Sequence, residues 1–186
     1  MDERARLSRN AQRLGELHTA FARRIRRVLA ALEAKGYRPR IQDAWRSPAD
    51  QLKAFARGTS KLKFGFHNVT RANGRPEALA VDILDDDFPL NPRGDYLLQL
   101  AAASGRVQCR TGIAWGLPPA LAKAVADAVA NGAWRARIKI GWDPTHVEPA
   151  DLTLAAAKAG KRPPPHVGAA TRRRPHRGKK KPRSGR

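Results

Sequence analysis

Cysteine is almost missing from this chain: Cys109 is the only one in 186 residues. No intrachain disulfide can form, so nothing marks an oxidising destination. Cys109, close to Val107, reads as a small apolar filler. Long hydrophobic runs are missing as well. No stretch approaches the ~20 apolar residues of a membrane span. The charged opening Met1-Asp2-Glu3-Arg4 is not followed by an apolar core of signal-peptide length. The expectation is synthesis in the cytoplasm without a signal peptide, with any export using another route. Acids are scarce too, 16 Asp and Glu against 37 Lys and Arg, for a net charge of +21. Residues 161–186 hold eleven of the basic residues and no acid, which leaves +10 for residues 1–160. Such a surface suits polyanions, whether nucleic acid, anionic lipid or acidic cell-wall polymer, and charge alone does not choose among them.

What is present is enough for one domain. Hydrophobic residues make up 41% of the chain, and the length allows a real core. From about Leu7 to Lys35, apolar residues recur at helical spacing through Leu14, Leu17, Phe21, Ile25, Val28, Leu29 and Leu32. Arg23, Arg24, Arg26 and Arg27 occupy the remaining, solvated face, and Gly36 is a natural stop. His18 falls inside this helix without ligand partners nearby and reads as structural or exposed. Tyr37 to Ala44 alternates like a strand. Ser47 is a suitable N-cap, with Pro48 at the first position of a helix that ends at Gly58. Arg46 therefore stands at a strand-to-helix corner, where side chains commonly face a cleft.

Gly58 to Pro76 is loop-rich and contains His67. Ala78 to Leu84 is an apolar strand interrupted by Asp82, with Asp85, Asp86 and Asp87 as a turn. Helices are expected over Tyr96 to Ala103 and Pro118 to Ala130, and a strand over Arg137 to Ile140. Beyond Lys158 the pattern dissolves into Pro163-Pro164-Pro165, Arg172-Arg173-Arg174 and Lys179-Lys180-Lys181. That composition buries too little apolar surface to offset chain entropy. The expected organisation is a domain over 1–158 and a disordered Lys/Arg/Pro-rich tail over 159–186. The order of elements predicts an α+β fold, a small mainly antiparallel sheet with helices packed around it.

Two stretches carry candidate chemistry. His67 to Asp82 supplies an imidazole and a carboxylate, and Trp142-Asp143-Pro144-Thr145-His146-Val147-Glu148 supplies an aromatic, two acids and a second imidazole. Two histidines and a carboxylate are the donor set of a catalytic zinc site that leaves one position for water. A nearby acid must then accept a proton, and Asp143, three residues before His146, is near enough along the chain. Glu148 could orient an imidazole, and Arg46 could hold a substrate carboxylate or a developing oxyanion. The blander readings are a turn-forming Asp143 before Pro144, a core Trp142, and an Asp82 paired with an arginine.

The motifs resemble those of the zinc D-alanyl-D-alanine carboxypeptidase and L-alanyl-D-glutamate endopeptidase family of cell-wall enzymes, which includes many phage endolysins. The matching stretches are Trp45-Arg46-Ser47 with Gln51, His67 with Ala78-Leu79-Ala80-Val81-Asp82-Ile83, and Trp142-Asp143 with His146-Val147-Glu148. They occur in the family's order over roughly residues 40–149. The resemblance implies one zinc ion per chain held by His67, Asp82 and His146. It also implies Asp143 as general base and Arg46 at the substrate, with Gln51, Ser47, Trp142 and Glu148 around them. The implied fold is the one shared by Hedgehog and D-Ala-D-Ala peptidases. Two departures stand out. Gly65 occupies a position where the family often has serine, and the fourteen residues Asn68 to Val81 separate ligands that shorter members place six residues apart. An inserted hairpin with Asn73-Gly74 at its turn would return Asp82 to His67. An aspartate as base inclines the reading towards the endopeptidase side.

Two functions from different classes follow. The first is a monomeric zinc peptidase cutting stem peptides of bacterial peptidoglycan, of phage or prophage endolysin type. It would act at the wall or periplasm after release, with its basic tail drawn to anionic envelope polymer. The second is a basic protein that binds nucleic acid or another polyanion by charge and catalyses nothing. No helix-turn-helix, zinc-finger or aromatic RNA-binding signature supports it, and it leaves the ordered His, Asp, Asp, His set unexplained.

Overall fold

Four strands form the sheet that carries the site: β1 (Pro39–Asp43), β2 (Val81–Asp85), β3 (Cys109–Gly112) and β4 (Asp143–Pro149). Their spatial order is β1-β2-β4-β3, and every neighbouring pair is antiparallel. The computed structural model describes residues 1–165. With helices packed on this sheet, the protein is α+β, as the order of elements predicts.

Side-chain alternation sorts the sheet into two faces. Ile41, Ile83, Val81 and Val147 are fully buried on the core face. They meet the apolar stripes of two helices, α2 (Thr19–Glu33) and α4 (Gly94–Gly105), through Phe21, Ile25, Val28, Tyr96, Leu98 and Leu100. Asp82, His146 and Glu148 share the opposite face. A helix-covered core thus stiffens one side of a sheet whose other side carries polar groups.

The N-terminal helix expected over Leu7–Lys35 is two helices, α1 (Glu3–Gly15) and α2. The chain between them leaves the helical ladder to pair with a strand-like neighbour. The His18 amide donates to the Ala78 carbonyl at 3.1 Å, and the Ala78 amide donates to the Glu16 carbonyl at 3.0 Å. His18 becomes the N-cap residue of α2. Arg24 also departs from expectation. It is fully buried, whereas Arg23, Arg26 and Arg27 are exposed. Its guanidinium donates to both oxygens of Asp151, each at 2.7 Å, and to the carbonyls of Gln108 and Pro164. Acceptors brought in from three distant segments explain how a charge sits on the helix's inner side.

Local signals hold elsewhere. Ser47 Oγ accepts the Asp50 amide at 3.1 Å, which opens α3 (Pro48–Ala56). Gly58, with φ +72°, follows its end. Helices α5 (Pro119–Ala130) and α6 (Leu154–Lys158) complete the set. The strand expected over Arg137–Ile140 is not formed. That segment is extended, with Ala136, Ile138 and Ile140 packed on the core and Arg135, Arg137 and Lys139 outside. Packing alone satisfies its alternation, and the ladder begins only at β4. Asp85 is the last residue of β2, and only Asp86 and Asp87 turn.

The boundary expected after residue 158 falls inside packed structure. The Arg162 guanidinium reaches Glu77 at 2.6 Å and the Thr70 carbonyl at 3.0 Å, and Pro163 is buried. The rest of the expected disordered tail, 166–186, lies outside the described residues. No helix among the described residues is long and apolar enough to cross a membrane.

Candidate metal centre and its cleft

Register in the sheet does the first part of the assembly. Asp82 on β2 lies directly opposite His146 on β4, and their Oδ1 and Nδ1 atoms are 3.3 Å apart. His67 arrives from a short 3-10 turn, Phe66–Asn68. The turn is pinned on both sides. The Gly65 amide donates to Asn68 Oδ1 at 2.8 Å, the Asn68 side chain donates to the Arg46 carbonyl, and the Arg46 amide donates to the His67 carbonyl. The long insertion between His67 and Asp82 folds back on itself through a Thr70–Pro76 bridge. Its turn uses Gly74 at φ +76°, where a side chain would be strained. His67 Nε2 ends 3.7 Å from Asp82 Oδ1 and 3.3 Å from His146 Nδ1.

Hydrogen bonding at the outer nitrogens decides what faces inward. His67 Nδ1 lies 2.5 Å from the Ala44 carbonyl. A carbonyl only accepts, so Nδ1 carries the hydrogen and Nε2 presents its lone pair. His146 Nε2 lies 3.1 Å from Glu148 Oε2. Burial would raise the Glu148 carboxyl, but His146 and Arg110 hold it below its usual range. It is therefore an acceptor as well, and His146 turns the Nδ1 lone pair to the centre. Asp82 adds a carboxylate oxygen. Burial opposes its charge, yet His67 and His146 keep it well below the ordinary aspartate value.

Three acceptors thus converge with no donor among them unless a ring takes a second proton. The protein alone meets this by protonation. Burial would lower His146, but Asp82 and Glu148 outweigh it and hold the ring up to about 10. A divalent cation meets the same demand without a buried imidazolium. The three donor atoms lie within 4.8 Å of one another, and the residues could hold a metal ion. They are of the types metals take, with each imidazole oriented from behind by an acceptor.

Around this centre opens a cleft of about 730 Å³. Arg46, Gln51, Trp142, Asp143 and Glu148 line it together with the three candidate ligands. Asp143 Oδ2 is 4.0 Å from His146 Nδ1. Burial pushes its carboxyl up; His146 pulls it down and Asp82 pushes it up further. Arg46 donates to Asp43 at 2.6 Å and to Gln51 Oε1 at 3.0 Å. Gln51 is buried and also donates to Ser60 Oγ and the Leu62 carbonyl, tying Arg46 to the loop over 57–65. Trp142 is half exposed on the opposite wall. Ser47 stands apart from the cleft lining, its hydroxyl engaged with Asp50. Asp86 is occupied by Arg40 and the Met1 amino group.

Several cleft residues were not among the sequence candidates. Trp115 packs against His146 with ring centres 5.1 Å apart and the planes tilted by 44°. Arg110, opposite Glu148 in the β3–β4 ladder, donates to it at 2.7 Å. Lys61 places Nζ 4.5 Å from the centre of the Trp142 ring. Gly112 and Gly141 have no room for a side chain. A Cβ on Gly141 would lie 2.6 Å from the Trp115 backbone N and O, and one on Gly112 would lie 2.2 Å from the Asp143 carbonyl oxygen. This close approach carries Trp142 and Asp143 to the cleft. The only local hint was glycine beside tryptophan, at Trp115-Gly116 and Gly141-Trp142.

No family model and no curated protein matches this chain. A solved structure that it is similar to is the Serratia marcescens L-Ala D-Glu endopeptidase ChiX, at 20% identity and a TM-score of 0.41. The alignment covers 80% of this chain and 89% of that one. At that distance the likeness carries no residue roles.

Proposed function

We propose that the protein is a zinc-dependent peptidase that hydrolyses stem peptides of bacterial peptidoglycan, as phage endolysins of the resembling family do. The observation that carries the reading is the convergence of His67 Nε2, Asp82 Oδ1 and His146 Nδ1 beside Asp143 in an open cleft. Metal–ligand bonds of about 2.05 Å at tetrahedral angles place neighbouring donors about 3.3 Å apart. The three separations here, 3.3, 3.3 and 3.7 Å, match that spacing. Nitrogen and carboxylate donors of this kind suit zinc.

Zinc, when bound, supplies a Lewis acid that lowers the pKa of water towards ~7 and polarises the scissile carbonyl. The protein supplies the rest. Glu148, itself held by Arg110, fixes the His146 ring, and the Ala44 carbonyl fixes that of His67. Asp143 takes the proton of the attacking water and passes it to the leaving amine. Arg46, oriented by Asp43 and Gln51, contacts the substrate across the cleft. The aspartate in the base position favours an L-alanyl-D-glutamate-type bond over a terminal D-Ala-D-Ala bond. The basic stretch after Pro165 draws the enzyme to anionic envelope polymer by charge.

Purified peptidoglycan incubated with the protein, with and without a zinc chelator, tests this by mass spectrometry. Chelator-sensitive fragments with new peptide termini are expected, and their masses identify the bond. Folded, zinc-loaded protein that releases no fragment overturns the reading.

A further inference from the structure

Three cations line the cleft, and two of them are already engaged. Arg46 is bonded to Asp43, and Arg110 to Glu148 at 2.6 Å. Lys61 alone, among the described residues, lines the cleft without a carboxylate partner. It rises from the loop that Gln51 tethers and lies across the exposed face of Trp142 on the other wall. An ammonium against an indole face keeps its charge and most of its hydrogen-bonding capacity, since the ring contact uses only one side of it. The next residue in the chain is Asp143. Lys61 and Trp142 therefore form a clasp over the cleft beside the proposed proton carrier.

Charge in the cleft gives that clasp a purpose. Asp82, Asp143 and Glu148 all line it, and with Glu148 engaged by Arg110 and Arg46 by Asp43, Lys61 is the cation left to meet an anionic substrate. A D-glutamyl residue with one carboxyl in the peptide chain keeps its other carboxyl free, within one residue of an L-alanyl-D-glutamate bond. We infer that the Lys61–Trp142 clasp is a specificity subsite that reads this free glutamyl carboxylate and disfavours its carboxamide form. The inference rests on the peptidase reading above. Lys61 supplies the charge-assisted hydrogen bond, and Trp142 sets where the ammonium stands.

The test uses two synthetic stem peptides that differ only in a free carboxylate or a carboxamide on the glutamyl residue. Binding is measured by titration calorimetry on zinc-loaded protein carrying Asp143→Ala, with Lys61 intact or replaced. With Lys61 present the acid peptide binds about tenfold tighter than the amide, as one charge-assisted contact implies. Lys61→Glu abolishes or reverses the preference, Lys61→Arg restores most of it, and affinity for the amide changes less than about twofold. An acid-to-amide ratio unchanged by Lys61→Glu, or no binding of either peptide, overturns the subsite. Turnover of both peptides is followed separately with Asp143 intact. Binding with the expected ratio but no cleavage would sink the peptidase reading and leave the carboxylate subsite standing.

Discussion

Asp82 and His146 face one another across the β2–β4 ladder, with Oδ1 and Nδ1 3.3 Å apart. Opposed antiparallel positions hold side chains on the same face at fixed separation, so this pair is set by the backbone and not by flexible loops. Glu148, two residues along on the same face, holds the other side of the His146 ring. Only His67 is brought by a turn, and that turn is pinned to the Arg46 backbone through His67 and Asn68.

Such a preorganised trio should bind close to one zinc per chain. Replacing His67, Asp82 or His146 by alanine should lower the metal content of purified protein to background by elemental analysis. At zinc about 100-fold above its dissociation constant, the wild type should gain about 2.7 kcal/mol of stability that chelator removes. Thermal melts read this, and a midpoint indifferent to zinc would exclude a folded-state site.

Zinc affinity should depend steeply on pH. Without zinc, the His146 ring is held up to about 10 by Asp82 and Glu148 against the effect of burial. A ligand must be deprotonated, so below that value each binding event expels a proton. Affinity should rise up to about tenfold per pH unit below about 10 and level off above it. Calorimetry at pH 7 in buffers of different ionisation enthalpy should report proton release. Zero release would contradict the protonated ring.

Asp143→Ala should separate chemistry from metal. The residue lies 4.0 Å from His146 but outside the trio that could hold the ion. Turnover of peptidoglycan fragments should fall by about 10²–10⁴-fold while zinc content stays at wild-type level. Unchanged turnover removes Asp143 from the proton-carrying role.

Gly141→Ala should disturb the cleft from behind. Its Cβ would press on backbone atoms of Trp115 at 2.6 Å, and backbone cannot swing aside as a side-chain tip can. Overpacking of this kind costs about 1–3 kcal/mol. Denaturant unfolding should show that loss, and turnover should drop more than stability because Trp142 and Asp143 follow directly. A wild-type unfolding midpoint would show that the two segments have slack.

Truncation should matter according to where it is made. Ending the chain after Pro165 keeps the Arg162–Glu77 pair and the Arg24–Pro164 bond. Cleavage of soluble muropeptides should then persist, while binding to whole walls weakens and becomes less salt-dependent. Ending it after Gly160 removes both contacts and should lower the melting temperature. Equal wall binding by the chain ending at Pro165 would deny the basic stretch its role.

What the sequence determined by itself is what acts over a few residues. Ser47-Pro48 starts a helix because a hydroxyl and a fixed φ need only the next turn. The stripe of Phe21, Ile25, Val28 and Leu32 is helical by its own period, and the composition and order of elements are sufficient for α+β. The residue types of the candidate site were legible for the same reason, since donor chemistry belongs to the side chain. Tertiary structure decided everything that depends on a distant partner. Ala78 broke the long N-terminal helix at Glu16–His18, because two backbone bonds from another segment replaced those of the ladder. Asp151, Gln108 and Pro164 buried Arg24, which the helical pattern alone puts in solvent. Segment 137–140 alternates like a strand yet gained no ladder partner, while the short β3 gained one. Gly112 and Gly141 let two backbones touch, and only that contact brings Trp115 onto His146 and Asp143 towards the candidate metal ligands.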